Sequence, residues 1–223
     1  MVGNATGTPG DGATSFTGFT EAALDFYDDL EIDNSKAFWE DHKEVYRTAV
    51  AEPMAALTEA LSEEFGPAKI FRPYRDVRFS KDKTPYKTHQ GAFVAVAPAT
   101  GYYVQIGAPG VRVGAGFYEA SPARLAEFRK AVDRDRSGSE LERLLGKLTR
   151  SGWEIAGDRL KTAPRGYSVE HPRIELLRHK SLSVGRDYGF DAVIHSAELV
   201  DRVRRDWRAT VPLVEWIARR TGT

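Results

Sequence analysis

Residues 71–107 read FRPYRDVRFSKDKTPYKTHQGAFVAVAPATGYYVQIG and carry the main signal of a sheet. In an extended chain alternate side chains face opposite sides. Phe71, Val77 and Phe79 then share one face, with Asp76, Arg78 and Ser80 on the other. Two short apolar runs follow, residues 92–97 and 102–107, joined by Pro98-Ala99-Thr100-Gly101, a hairpin signal. Strands are therefore predicted over 71–80, 90–97 and 102–107, with a turn at Thr84-Pro85 and a further strand over 111–115.

Outward from this centre the period changes from two to that of helices. On the N-terminal side Thr20 caps a short helix carrying Leu24, Tyr27 and Leu30 on one face. A long helix follows, striped by Phe38, His42, Val45, Ala49, Leu57, Leu61 and Phe65 and ended by Gly66-Pro67. Pro53 inside that pattern should break or kink it, because proline has no N–H and crowds the preceding turn. On the C-terminal side Ser121-Pro122 starts a helix with Leu125, Phe128 and Val132. Ser139 and Glu142 form a capping-box pattern before Leu144, Leu145 and Leu148. Gly157-Asp158, between segments 153–156 and 159–161, reads as a tight hairpin. Residues 172–180 suggest a short helix and 182–184 a strand. The last helix carries Leu199, Val203, Trp207, Val211 and Val214, with a second kink expected at Pro212. Strands in the middle, helices at both ends and no βαβ alternation predict an α+β single domain over 15–223. Its central sheet is mainly antiparallel and flanked by helices, behind a disordered tail at 1–14.

Composition narrows the function classes. The chain of 223 residues is 41% hydrophobic and 29% charged, with 32 Lys+Arg against 32 Asp+Glu. That balance disfavours a general nucleic-acid or membrane-surface binder, and no apolar run approaches the ~18 residues of a membrane span. The absence of cysteine excludes disulfides, thiolate catalysis and thiolate-held metals. A cytoplasmic location is the expectation.

Standard catalytic motifs are missing. The run GAPGVRVGAG at 107–116 fits neither dinucleotide-binding nor P-loop spacing and reads as turn and strand. No G-x-S-x-G elbow occurs. His171, Glu175 and His179 would stand on successive helical turns, leaving the histidines roughly 12 Å apart, too far for one metal. A surface ion pair of Glu175 with His179 is the plainer reading, and His42 reads as a hydrogen-bonded core histidine. No metal is assigned, and no pattern identifies a cofactor.

Residues 72–89 hold Arg72, Arg75, Arg78, Lys81, Lys83 and Lys87 against only Asp76 and Asp82, on a neutral background. Such an excess suits an anion: arginine offers a planar fork of donors, lysine a mobile point charge. Asp76 and Arg78 are the candidate catalytic pair, Asp76 as acid or base. Arg75, Lys81, Lys83, Thr84, Lys87 and His89 are candidate ligand-binding residues. Arg165 and Tyr167, in a second basic stretch over 161–180, are expected to converge on the same concave surface. The ligand expected is a small phosphate- or carboxylate-bearing molecule or nucleotide. The alternative is a nucleic-acid-binding or structural interaction module using the same loop. A third reading makes the segment a clasp, its charges paired internally or guarding a sheet edge.

Several blocks, in order, resemble the conserved domain of unknown function catalogued as family 2461. They are FTGFTEAALDFYDDL (16–30), the Asn34…Trp39…His42-Lys43…Tyr46 helix and RDVRFSKDKTPYKTH (75–89). GYYVQI (101–106), GAGFY (114–118), APRGY (163–167) and HPRIELLRHK (171–180) follow. This chain has Asp33-Asn34 where the family typically has two asparagines, and Phe38-Trp39 where Trp-Phe is common. The resemblance spans about residues 16–215. It implies a single compact soluble domain, with 75–89 as its defining segment, and brings no activity, cofactor or catalytic residue with it.

Overall fold

The computed structural model describes residues 15–78 and 80–221. The tail expected at 1–14 and the expected inward ring of Phe79 lie outside the described residues. One antiparallel sheet organises the molecule, in the order β1-β2-β3-β4-β6-β5. Its strands are β1 (Ala68–Ile70), β2 (His89–Ala97), β3 (Thr100–Gly107), β4 (Gly110–Phe117), β5 (Glu154–Ala156) and β6 (Leu182–Gly189). The fold is α+β, as the alternation of periods predicts. Two short turns join β2 to β3 and β3 to β4, and their registers pair Val94 with Tyr102 and Tyr102 with Ala115. Ala115 in turn pairs with Val184 of β6.

That row faces the helices. The final helix α7 (Leu199–Arg220) packs Trp207 on Tyr102, with ring centroids 5.4 Å apart, and donates the indole N–H to the Tyr103 carbonyl at 3.2 Å. Val203, Leu213, Val214 and Ile217 of the same helix are buried. These contacts hold both sides of Pro212 against the sheet, so the helix runs through the proline instead of breaking there. Earlier in the chain α1 (Glu21–Ile32), α2 (Lys36–Val45) and α3 (Glu52–Phe65) cover the β1–β3 side of the same layer. A π-helical turn, Tyr46–Ala51, separates α2 from α3. The Glu52 N–H reaches back to the Arg47 carbonyl, and Pro53 falls in the first turn of α3, where its missing N–H is not needed.

Three further local expectations are corrected here. Residues 71–78 form no strand; a single bridge, Tyr74 to Tyr86, is all the pairing they make there. Pro73 and Pro85 remove ladder donors, and the side chains between them are mostly exposed and have no core to face. Ser139 and Glu142 do not cap a helix, because α5 (Asp135–Arg150) begins earlier. Both accept instead from the guanidinium of Arg173, at 2.8 and 3.0 Å. Gly157-Asp158 is not a hairpin tip either: β5 pairs with β6, and the Asp158 carbonyl accepts from the Lys180 N–H at 2.7 Å. The Ser121 cap does form, accepting from the Arg124 N–H ahead of α4 (Pro122–Asp133).

Between α7 and β6 sits a buried carboxylate. Asp206, 3% exposed, accepts from Arg186 at 2.7 Å and from the Tyr188 hydroxyl at 2.8 Å. Arg186 also lies over the Trp153 ring. Removing one member of a buried pair strands the other charge. Asp206→Ala should therefore lose about 3–5 kcal/mol of stability, by analogy with other broken buried pairs. Urea unfolding of the variant measures this, and a loss below about 1 kcal/mol would show the pair to be dispensable.

Candidate functional site

The basic segment forms a loop whose base is clamped to the helical layer. The Asn34 side-chain amide donates to the Tyr86 carbonyl at 3.1 Å and accepts from the Tyr86 N–H at 3.0 Å, as a strand neighbour would. Trp39 stacks flat on the Tyr86 ring at 4.3 Å. The backbone then closes across the loop, Arg75 N–H to Pro85 carbonyl and Lys87 N–H to Pro73 carbonyl, both at 2.8 Å.

Beyond that closure most of the charges meet one another. Arg78 donates twice to Asp76, at 2.9 and 2.7 Å, and holds its carboxyl below the usual carboxylate range. Arg75 bonds Asp82 and Thr84, and the Thr84 N–H and hydroxyl both donate to Asp82. Lys83 caps the Val77 carbonyl at 2.8 Å, and Lys87 the Arg72 carbonyl at 2.8 Å. Lys81 is exposed and makes no hydrogen bond or ion pair among the described residues. An exposed carboxylate already held by arginine is a weak base, so Asp76 lacks the tuning expected of an acid/base group.

The expected convergence with the second basic stretch does not occur. Tyr167 sits 6.2 Å from the His171 ring and near Asp133 and Arg129 of α4, while Arg165 is exposed on its own turn. No hydrogen bond, ion pair or ring contact among the described residues joins either to the 72–89 loop. Residues 171–180 are also not one helix: α6 spans only Ile174–Leu177. His171 bonds Asp133 at 3.0 Å, while His179 is buried against the Ser181 carbonyl. His42 is half-buried, bonding the Phe38 carbonyl and stacking on the Phe38 ring.

An apolar hollow lies elsewhere, on the sheet face turned away from the helices. Register places Phe93, Tyr103, Gly114 and Gly185 in one row across β2, β3, β4 and β6. The result is a cleft of about 370 Å³ with Gly101, Gly114, Gly116 and Gly185 in its floor and Phe71, Phe93, Tyr103 and Tyr118 around it. Arg112 lies across the floor, and a Cβ on Gly185 would collide with its guanidinium. That guanidinium bonds Asp187 and stands 3.7 Å from Glu154. The Tyr103 hydroxyl donates to Gln105 at 2.9 Å; burial pushes its pKa up to about 12, so it stays a neutral donor. Phe93 and Tyr118 meet edge to face at 5.2 Å, and Tyr118 is 59% exposed.

Phe71 joins the two features. It is both a wall of the cleft and the residue before the basic loop, with the ammonium groups of Lys87 and Lys69 at 5.4 and 5.9 Å from its ring centre. His89, at the start of β2, reports the potential there. Its pKa is lowered from 6.5, first by burial and then by the Lys87 and Arg75 charges. None of the cleft residues is a candidate site residue in the sequence, although GYYVQI and GAGFY, among the family-like blocks, contain several of them. The available signal was glycine recurring inside strand runs at Gly114, Gly116 and Gly185, positions where strands normally avoid it.

His89 therefore should titrate below 6.5, and Lys87→Gln should raise its pKa by removing a nearby cation. The unfolded chain binds the proton more readily, so the stability contributed by neutral His89 is complete above pH 6.5 and is lost as pH falls through the folded value. Imidazole NMR titration of both proteins measures this. An unchanged His89 midpoint in Lys87→Gln would show that the lysine sets no field at this end of the cleft.

Comparison with known proteins comes to bear here. Among solved structures, the chain resembles a crystal structure of an uncharacterized protein from Methanothermobacter thermautotrophicus, with 16% identity and a TM-score of 0.39. That match covers 74% of this chain and 95% of the other. No curated protein matches the sequence. The family described as conserved hypothetical protein (DUF2461) matches residues 22–216, which take in the Asn34–Trp39 clamp, the basic loop and every strand that lines the cleft. This chain belongs to that family.

Proposed function

We propose that the protein is a cytoplasmic small-molecule binder whose ligand has a flat apolar body and a carboxylate or phosphate group, a nucleotide being one such molecule. The observation that carries this reading is the aromatic-walled cleft with a glycine floor, Arg112 lying over that floor and lysines beside its Phe71 end. At about 370 Å³ it falls in the range of small-molecule sites. Apolar rings left facing water gain by covering a flat ligand, and the glycines let that ligand lie against the backbone. Arg112, lying over Gly185, offers a fork of donors from the floor, partly held by Asp187. Lys69 and Lys87 supply positive charge at the Phe71 end. In this reading Lys87 and Arg75 supply the positive charge of the rim beside a neutral His89, while the Asp76–Arg78 pair keeps the loop in shape. The polar groups of the cleft orient and retain a ligand, so the proposal is one of binding.

Exposed aromatic rings on an antiparallel sheet beside lysines would also stack unpaired bases, and this keeps the nucleic-acid reading as the alternative. The two separate experimentally. A fragment set of aryl carboxylates and aryl phosphates, with neutral isosteres, should give ligands that prefer the anionic form. Gly114 has an ordinary backbone angle; an added Cβ would press on the Val184 carbonyl at 3.1 Å and touch the Tyr103 Cβ at 4.0 Å, so β6 must give slightly. Gly114→Leu should therefore fill the cleft and weaken those ligands at least tenfold, at a modest cost in melting temperature. Arg112→Gln should erase the preference for the anion. Fragments that bind Gly114→Leu as well as the wild type would sink the proposal. Binding of single-stranded oligonucleotide at about 50 mM salt that collapses by about 200 mM, with no fragment binding, would favour the alternative.

A further inference from the structure

A second feature is independent of the cleft and shares none of its residues. The junction of α4 and α5 and the last turn of α7 enclose an open hollow of about 630 Å³ lined by Arg134, Arg136, Arg143, Arg219 and Arg220, with Glu140 the one carboxylate in its wall. Glu140 is engaged by Arg220 at 2.7 Å, and Arg219 stands 3.5 Å from Glu215 on its own helix. Arg134, Arg136 and Arg143 have no ion-pair partner among the described residues. The chain as a whole carries no net charge, so this concentration is local.

Helix chemistry explains part of the cluster and fails on the rest. Arg219 and Arg220 sit where the carbonyl end of α7 favours cations. Arg134 closes α4, whose carbonyl end also favours a cation, but Arg136 sits in the first turn of α5, where the helix dipole already presents positive charge and a further cation is disfavoured. Arg143, about two turns along the same face of α5 from Arg136, adds to the same side of the hollow. Arg136, held against the α5 dipole, shares the lining of one hollow with four further arginines, and their mutual repulsion opposes folding. Their arrangement is suited to an anion carrying several charges, which bidentate guanidinium contacts would hold.

We propose that this hollow is a binding site for a multiply charged phosphate compound, such as an inorganic polyphosphate or the phosphate chain of a nucleotide. The test uses the full chain, with inorganic tripolyphosphate as the probe and titration calorimetry as the readout. One saturable site per chain is expected at about 50 mM salt, weakening steeply by about 200 mM as the ionic contacts are screened. Arg136 and Arg143 are exposed, so R136Q/R143Q should fold normally and bind the probe at least tenfold more weakly. The charge reversal R143E should abolish binding, while Gly114→Leu, which blocks the cleft, should bind as the wild type does. Absence of saturable binding, or wild-type affinity in R136Q/R143Q, would overturn the proposal. So would tight binding of a single-stranded oligonucleotide that tripolyphosphate fails to displace, since that would make the hollow a nucleic-acid surface. Loss of fragment binding in Gly114→Leu bears only on the cleft, so the two proposals stand or fall separately.

Discussion

A sheet that the described helices cover on one side only is the constraint on which the remainder of this structure rests. Once α7 and the N-terminal helices pack against the row through Val94, Tyr102, Ala115 and Val184, strand geometry sends every intervening residue to the other face. The helical row is bulky and apolar, as a core requires. The opposite row is built from glycines, large aromatic rings and Arg112, and that combination needs a different explanation. Glycine weakens a strand and contributes no packing. Its concentration on one face makes sense where a side chain or a ligand lies flat against the backbone, and the Arg112 guanidinium over Gly185 shows one such use.

The basic loop is fastened to this frame from the helical side. Asn34 satisfies both backbone groups of Tyr86, and Trp39 covers the Tyr86 ring, so α2 and the loop hold one another in place. This accounts for the physical linkage between two sequence blocks separated by about fifty residues. Loss of the amide would leave Tyr86 with an unpaired donor and acceptor beside the helix, a cost that a purely cosmetic contact would not carry. The internal pairs Asp76–Arg78 and Arg75–Asp82 then shape the part of the loop that reaches into solvent. They are exposed and screened, so they serve geometry more than stability. What remains electrostatically active is the end nearest Phe71, where Lys87, Arg75 and the depressed His89 mark a positive field beside the cleft.

The helices and the β2–β3–β4 meander were legible in the sequence because each is encoded locally. Apolar residues at helical spacing, Ser121-Pro122 as a start signal and Pro98-Ala99-Thr100-Gly101 between apolar runs all act within a few residues of the structure they specify. The family resemblance likewise followed from RDVRFSKDKTPYKTH, a string that can be read without knowing where it folds. Period alone misled at 71–80, where alternation was present but two prolines and the lack of any buried partner removed the strand. It misled again at Ser139 and Glu142, whose spacing fits a cap but whose oxygens serve an arginine more than thirty residues away.

By itself, then, the sequence determined the α+β class, the antiparallel centre, the family and the unusual density of cations in 72–89. Only the tertiary structure decided which face of the sheet stays open, that the loop's charges close on one another, and that Arg165 and Tyr167 belong to a different neighbourhood. It alone gathered five arginines from α4–α5 and α7 into one hollow. The physical reason is range. Backbone propensity, capping and side-chain periodicity act between near neighbours, while a site is assembled from residues brought together by burial and register, and those are settled only when the whole core packs.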